Sequence, residues 1–270
     1  MLTPSMTDFD PRAFWETRHT RKYGPESVGY AGLGVPYNEW MYRVRGHVVA
    51  RQLRKSHIDL STRDVLDIGS GTGFYIELWK HQHARSVTGS DFAPYAVHAL
   101  REKFADARFV ELDITGANLP SELGQYDVIS AFDILYHIVD DGKYRQAIAN
   151  IRSLLRPGGY FILSENFLAQ NRETGLHQVS RTYTEIVAML EEHGFVVMQR
   201  APVFFLMNRP LKSSSGALQR TWKVIKRVTG MTQRPWLGGW LGALLYPVEL
   251  ASLPFMSSGP STEMMICRVV

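Results

Sequence analysis

The chain has 270 residues, of which 45% are hydrophobic and 21% are charged, and its net charge is +4. This composition indicates one large globular domain, or one domain with a cap, and the mild charge does not indicate a nucleic-acid-binding protein. The single cysteine, Cys267, excludes an intrachain disulfide and a cysteine-based metal cluster.

The N-terminal region is predicted to be helical. Its first residues lack the basic start and apolar core of a signal peptide, which indicates a cytoplasmic protein. Asp8 is a candidate cap for a first short helix, and a Gly-rich loop over 23–36 follows it. Apolar residues then recur at helical spacing over 37–57, which predicts a second helix.

The most informative stretch begins with an apolar strand predicted over 64–68. This stretch contains an aspartate and three glycines spaced two apart: Asp67, Gly69, Gly71 and Gly73. Glycine lets a backbone pass close to a ligand where a Cβ would collide. A second strand over 86–90 leads to Asp91, which could accept hydrogen bonds from both hydroxyls of a ribose. The layout predicts a βαβ unit that binds a nucleotide.

The glycine spacing distinguishes between two kinds of nucleotide. A dinucleotide-binding loop reads G-x-G-x-x-G and holds a pyrophosphate, whereas here Phe74 stands three residues after Gly71. Asp67 would repel a pyrophosphate but could pair with an amine. S-adenosylmethionine, with its adenine, ribose and positively charged amino-acid end, therefore fits better than NAD. The stretch resembles the first motif of the class I S-adenosylmethionine-dependent methyltransferases, D/E-x-G-x-G-x-G.

Further motifs follow in the order of this family. Strands are predicted over 107–112, 126–131, 159–164, 195–200 and 263–270, with a Pro-Gly-Gly turn before the third of these. Helices are predicted between them over 74–82, 94–104, 141–155 and 182–193. The resemblance implies an α/β fold, a Rossmann-like, seven-stranded, mostly parallel sheet with helices on both faces.

The resemblance also implies which residues contact the cofactor. In this family a polar residue after the third strand meets the adenine amino group, which matches Asp113; the alternative for Asp113 is a turn residue. An Arg or Tyr of an N-terminal extension often meets the methionine carboxylate, which makes Tyr37 and Arg43 candidates; the alternative for Arg43 is a surface side chain lying over the core. The predicted cofactor-binding residues are Asp67, Gly69, Gly71, Gly73, Asp91, Phe92, Asp113, Ile114, Phe132, Tyr37 and Arg43.

The resemblance divides the chain into three parts. Residues 1–57 are expected to cover the cofactor, and 58–202 with 263–270 to form the cofactor-binding core. Residues 203–262 are inserted before the last strand, where this fold places segments over the acceptor pocket. Within 216–256, basic residues and tryptophans stand beside an apolar run, which is typical either of a helical lid or of a segment in peripheral contact with a membrane.

The candidate catalytic residue is His137. It lies about one helical turn past the fourth strand, near the expected methyl position, where a neutral imidazole could accept a hydroxyl proton. The alternative is a packed residue at the start of a helix. Glu165, Asn166 and the loop 177–181 are candidates for binding polar groups of the acceptor. No His, Asp or Glu set has a recognisable metal spacing, so no metal is predicted.

The motifs favour a small-molecule, glycan or lipid-linked acceptor, methylated at a hydroxyl oxygen. The segment 131–134 lacks the sequence with which adenine-N6 enzymes grip a base, and Cys267 is misplaced for a cytosine-C5 nucleophile, so no nucleic-acid partner is predicted. The alternatives are N- or carboxyl-methylation of a metabolite or protein, and a cofactor-binding protein that has lost transfer. The sequence leaves the acceptor's identity and the oligomeric state open.

Overall fold

The computed structural model describes residues 10–21, 23–24, 29–175, 177–231 and 234–270. Its strands are β1 (Asp64–Ile68), β2 (Ser86–Asp91), β3 (Arg108–Glu111), β4 (Tyr126–Phe132), β5 (Leu155–Glu165), β6 (Glu173–Thr174), β7 (Val179–Ser180), β8 (Phe195–Pro202) and β9 (Glu263–Val269). Seven of them form one sheet in the order β3-β2-β1-β4-β5-β9-β8, and β6 pairs with β7. The predicted seven-stranded α/β fold is confirmed.

The described helices are α1 (Pro11–Arg21), α2 (Val35–Lys55), α3 (Phe74–His81), α4 (Pro94–Lys103), α5 (Asp141–Leu154), α6 (Tyr183–Glu192), α7 (Gly216–Thr229) and α8 (Pro235–Ser252). Asp10 caps α1, because its Oδ1 accepts hydrogen bonds from the N–H groups of Arg12 and Ala13. The predicted cap, Asp8, lies outside the described residues. Helix α2 begins two residues before its predicted start, because its proline stands in the first turn, where a missing N–H costs nothing.

The first five strands position the loops that carry the predicted site. β1 pairs in parallel with β2 and β4, β2 with β3, and β4 with β5. Four of the five residues of β1 are buried, as expected for a sheet covered on both faces. The carboxyl ends of β1, β2 and β4 therefore meet at one edge, where open α/β sheets bind ligands.

The prediction of a Pro-Gly-Gly turn before β5 is wrong. β5 begins at Leu155, directly after α5, so these three residues, 157–159, lie within the strand. Tyr126 of β4 is opposite Leu155, and Val128 is opposite Tyr160, so two residues along β4 match five along β5. Gly158, with a φ of 72°, lies in this irregular stretch. The turn residues form a bulge within the strand instead of a boundary before it.

The chain forms two compact units. Unit 1 comprises Met1–Arg21, Leu60–Met198 and Ile266–Val270; unit 2 comprises Lys22–Asp59 and Gln199–Met265. Within unit 1, α1 packs against α4; within unit 2, the largest described contact between helices joins α2 and α8. The predicted N-terminal extension is therefore divided between the units, and the roles expected of the three predicted parts stay predictions.

Candidate functional site

The loop after β1 holds its three glycines in the left-handed region, with φ of 72° at Gly69, 54° at Gly71 and 88° at Gly73. A Cβ on Gly69 would lie 2.4 Å from Cγ2 of Ile134, and one on Gly73 would lie 2.3 Å from Cε2 of Phe104. Both positions thus need glycine for backbone conformation and for packing against the protein itself. Sequence reasoning attributed these glycines to a ligand alone and missed this packing.

Asp67 of β1 is buried and uses only one of its two carboxylate oxygens. Its Oδ1 accepts a hydrogen bond of 2.6 Å from the Ser130 hydroxyl. Its Oδ2 is buried and has no hydrogen-bond partner among the described residues. Burial raises the pKa of Asp67 to about 6, and the neighbouring Asp91 adds to the rise. A buried, incompletely bonded carboxylate is costly, and a cationic ligand would offset that cost.

Asp91, at the end of β2, ties the glycine loop to the start of α4. Its Oδ2 accepts a hydrogen bond of 3.0 Å from the N–H of Gly71, and its Oδ1 accepts one of 3.0 Å from the N–H of Ala93. Burial raises the pKa of this carboxyl, and Glu16 of α1 adds to the rise. A carboxylate has about four lone-pair sites, so Asp91 can still accept from a hydroxyl donor.

Other predicted residues lie after the neighbouring strands of unit 1. Phe132, at the end of β4, stacks on Tyr75 with 4.1 Å between the ring centroids. Ile114 is buried and Phe92 is partly buried. Asp113 is exposed, and its Oδ1 accepts hydrogen bonds from the N–H and the hydroxyl of Thr115. These two bonds fit the alternative prediction, that Asp113 is a turn residue. Both bonds use Oδ1, so neither occupies Oδ2.

Tyr37 and Arg43 lie on α2 in unit 2, and the structure gives both side chains partners there. The Tyr37 hydroxyl donates a hydrogen bond of 3.1 Å to the Met207 carbonyl. Burial and the nearby Glu249 raise the pKa of Tyr37 well above its usual range. The Arg43 guanidinium lies 4.2 Å from the centre of the Trp40 ring. These contacts give no support to a role in cofactor binding, which stays a prediction.

His137 lies in the 3₁₀ turn Leu135–His137, after β4, in an aromatic cluster of unit 1. The Trp15 ring meets it edge-on at 5.0 Å, and the His177 ring stacks on it at 5.7 Å. Its Nδ1 is 2.9 Å from the His177 carbonyl oxygen. Because a carbonyl only accepts, we assign the proton of the neutral ring to Nδ1, which leaves Nε2 able to accept one. Burial lowers the pKa of His137 to about 4, so the ring is neutral near pH 7.

Helix α1 contributes residues that sequence reasoning did not assign to the site. Trp15 contacts His137, and Glu16 accepts a hydrogen bond of 3.4 Å from the N–H of Tyr95, at the start of α4. Arg12 forms an ion pair with Glu111 at the end of β3. Helix α1 therefore lies along the carboxyl edge of the sheet. No local pattern in the sequence could have shown this, because every partner is at least 79 residues away along the chain.

Glu165 and Arg181, both candidates for acceptor binding, are completely buried. Glu165 accepts a hydrogen bond of 3.4 Å from the Tyr144 hydroxyl through Oε1, while its Oε2 has no hydrogen-bond partner among the described residues. Arg181 lies 4.0 Å from the centre of the Tyr144 ring and donates to Asp141 at 2.8 Å. Burial raises the pKa of Glu165 to about 8. Their burial fits support of the site better than direct exposure to an acceptor.

Comparison with known proteins identifies the class of this domain. Residues 65–159 match the family described as "Methyltransferase domain". A tRNA U34 carboxymethyltransferase of Nautilia profundicola is 27% identical over 51% of this chain and 44% of its own. A ribosomal protein L11 methyltransferase of Symbiobacterium thermophilum is 32% identical over 50% of this chain and 42% of its own. The chain thus spans less than half the length of these curated relatives.

A solved structure extends the likeness in fold beyond the matched segment. An S-adenosylmethionine-dependent methyltransferase from Clostridium acetobutylicum superposes with a TM-score of 0.52 and 13% identity, over 84% of this chain and 92% of that one. Residues 65–159 form a methyltransferase domain, of the class I type that uses S-adenosylmethionine. The superposition shows that the fold is shared beyond this segment. S-adenosylmethionine is the methyl donor of this class.

Proposed function

We propose that the chain binds S-adenosylmethionine along β1 and β2 and transfers its methyl group to a hydroxyl of a small-molecule, glycan or lipid-linked acceptor. The observation that carries the proposal is the buried pair of carboxyls, Asp67 and Asp91, with Oδ2 of Asp67 lacking a hydrogen-bond partner among the described residues. Two adjacent buried acids favour a cationic ligand. The donor offers an ammonium for Asp67 and two ribose hydroxyls for Asp91.

The other predicted residues complete this binding site in the proposal. Phe92, Asp113 and Ile114 would hold the adenine, because they follow β2 and β3 at the edge where the ribose is placed. Phe132, whose ring is fixed by stacking on Tyr75, would border the methyl group. The loop glycines Gly69, Gly71 and Gly73 would give the backbone its path around the methionine end.

The preference for a hydroxyl acceptor depends on His137. In such a transfer the acceptor oxygen attacks the methyl carbon, the carbon–sulfur bond breaks, and its electron pair goes to sulfur. As the bond to the methyl carbon forms, the hydroxyl proton becomes much more acidic, so a base with a pKa of about 4 can take it during the transfer. The unprotonated Nε2 of His137 is suited to this step. The surrounding aromatic rings favour a small acceptor over a polymer.

N- or carboxyl-methylation of a metabolite or protein is the alternative, and neither requires His137 as a base in the same way. A carboxylate acceptor carries no proton to remove. Two relatives are named for a tRNA and for a ribosomal protein. The match covers less than half of each relative, so these names alone do not assign such an acceptor to this chain. A protein that binds the cofactor without transferring a methyl group is the second alternative.

The first experiment is isothermal titration of the purified chain with S-adenosylhomocysteine, and with NAD as the control. Saturable binding of S-adenosylhomocysteine alone supports the proposed donor site, and binding of NAD alone would overturn it. If neither S-adenosylhomocysteine nor NAD binds, the result favours a methyltransferase fold that no longer binds a cofactor.

A screen with S-adenosylmethionine labelled in its methyl group then tests the acceptor. For a hydroxyl acceptor, His137→Gln should lower kcat at least about tenfold, the low end of general-base effects, and leave the affinity for S-adenosylhomocysteine unchanged. The wild-type rate should fall as the pH drops toward about 4, where His137 becomes protonated, and the variant should lose this dependence. An unchanged kcat in His137→Gln would assign the residue to packing with Trp15 and His177.

A further inference from the structure

Helix α8 of unit 2 has an unusual distribution of residue sizes. Its buried residues are Gly238, Gly242 and Glu249. A Cβ on Gly242 would lie 2.5 Å from Cδ1 of Trp40, so this glycine is what lets α2 approach closely. A surface helix ordinarily buries its large apolar residues and exposes its small or polar ones. In α8 the arrangement is reversed.

The large apolar residues of this region are on its outer side. We call them the outer stripe: Trp236, Trp240, Leu244, Val248 and Phe255. Four of them recur at intervals of four residues, so neighbours along α8 share a face. Trp240 is 72% exposed, Leu244 70% and Phe255 90%. An uncovered apolar patch that follows a helix in this way usually marks an interaction surface.

The exposed charges of α7, of α8 and of the linker between them have one sign. Over 216–255 the exposed charged residues are Arg220, Lys223, Lys226, Arg227 and Arg234. Glu249 is the single acidic residue there, and it is buried. Its carboxylate accepts hydrogen bonds from the N–H groups of Phe205, Leu206 and Met207. The segment therefore presents apolar side chains and positive charge, without an exposed negative charge.

We propose that the outer stripe is a docking surface for an anionic phospholipid bilayer. Tryptophans and leucines bury favourably at the boundary between headgroups and acyl chains, and lysines and arginines are attracted to anionic headgroups. Among the described residues no helix is long and apolar enough to cross a membrane. The contact is therefore one in which α8 lies in the plane of the interface. This inference rests on unit 2 and does not depend on the proposed methyl transfer.

Charge complementarity favours a bilayer over a second copy of the chain. A twofold contact through the outer stripe would pair two copies of a segment that carries five exposed cations and no exposed acid. Like charges facing each other across an interface are unfavourable. An anionic bilayer neutralises these charges and covers the apolar residues in one contact.

The test is cosedimentation of the purified full chain with vesicles. One set is phosphatidylcholine alone, and the other contains about 30% phosphatidylglycerol, enough to give an anionic surface. We expect binding to the anionic vesicles, weakened by added salt, and a blue shift of tryptophan fluorescence. The double variant Trp240→Gln/Leu244→Gln should lower the partition coefficient by about tenfold or more, because two exposed apolar side chains no longer insert.

A matched control is Met198→Gln on β8, which removes an apolar side chain that is 46% exposed outside the stripe. It should bind vesicles like the wild type. The triple variant Arg220→Gln/Lys223→Gln/Arg227→Gln should lose the preference for anionic vesicles. Titration of each variant with S-adenosylhomocysteine checks the fold, and a failure of that ligand to bind wild type would count against the donor site without affecting the vesicle result.

The proposal is overturned if the wild type binds neither kind of vesicle, or if the double variant binds anionic vesicles as tightly as the wild type. Gel filtration with light scattering tests the alternative, in which a second copy of the chain covers the outer stripe. A wild-type dimer that the double variant converts to a monomer, with no vesicle binding, would assign the stripe to a second copy of the chain.

Discussion

Asp67 in unit 1 and Glu249 in unit 2 are both buried acids whose pKa is raised by burial, yet their surroundings differ. Glu249 accepts hydrogen bonds from three successive backbone N–H groups, those of Phe205, Leu206 and Met207. Asp67 has one side-chain partner, Ser130, and an oxygen without one among the described residues. Burial and a raised pKa are therefore common to a structural acid and a candidate binding acid. Unused hydrogen-bonding capacity is what distinguishes them.

The largest expected effect tests the structural acid. Glu249→Ala leaves three backbone N–H groups without their acceptor, and each buried unsatisfied donor costs about 1–3 kcal/mol. We expect the free energy of unfolding to fall by about 3 kcal/mol or more, measured by urea denaturation. Affinity for S-adenosylhomocysteine, measured well below the melting temperature, should be unchanged. A stable Glu249→Ala would show that these N–H groups find other partners.

For Asp67, substitution should weaken ligand binding and leave stability unchanged or higher, the opposite of the result expected for Glu249. Asp67→Asn keeps the shape and removes the charge, so affinity for S-adenosylhomocysteine should weaken by about 1–3 kcal/mol, the usual contribution of a charged hydrogen bond. Its melting temperature should not fall below that of the wild type, because a costly buried charge is removed. Glu249→Gln is the matched carboxyl-to-amide control. Wild-type affinity in Asp67→Asn would show that its unpartnered oxygen does not meet the amine.

Glu165 is intermediate, with one oxygen bonded to Tyr144 and the other lacking a hydrogen-bond partner among the described residues, and it gives the smallest effect. Its pKa rises from 4.5 to about 8 on folding. Its stabilising contribution is thus fully present below about pH 4.5 and is lost as the pH rises toward 8. Between about pH 6 and 8, wild type should lose about 2 kcal/mol more stability than Glu165→Gln. Parallel curves of melting temperature against pH for the two proteins would contradict this.

The sequence was sufficient for features that depend on nearby residues. The glycine loop, Asp67 and Asp91 fall where the motif predicted, at the ends of β1 and β2. Asp140 caps α5, since its Oδ1 accepts a hydrogen bond of 2.8 Å from the N–H of Lys143, three residues away in sequence. The capping box of Thr182 and Glu185 at α6 was also readable from its spacing but was not singled out.

Features that depend on distant residues were not predictable in this way. The contact of Trp15 with His137 joins segments that are remote in sequence. The family pattern makes Tyr37 a candidate for the cofactor, which stays a prediction, and no local pattern shows the hydrogen bond of its hydroxyl to Met207 in unit 2. The unused oxygen of Asp67 depends on the position of Ser130 in another strand. Local patterns identify the chemical groups, and tertiary packing decides which of their atoms stay available.

The division of unit 2 into two separated segments also sets the order in which the protein can fold during synthesis. Helix α2 is complete at residue 55, but α8, against which it packs, ends about 200 residues later. At ribosomal speeds of about 5–20 residues per second, α2 waits roughly 10–40 s for its partner. During that interval Trp40, which packs against Gly242 and Tyr246 of α8 in the finished protein, lacks these contacts. We therefore expect a chaperone that binds exposed apolar helices to bind the nascent chain during this interval.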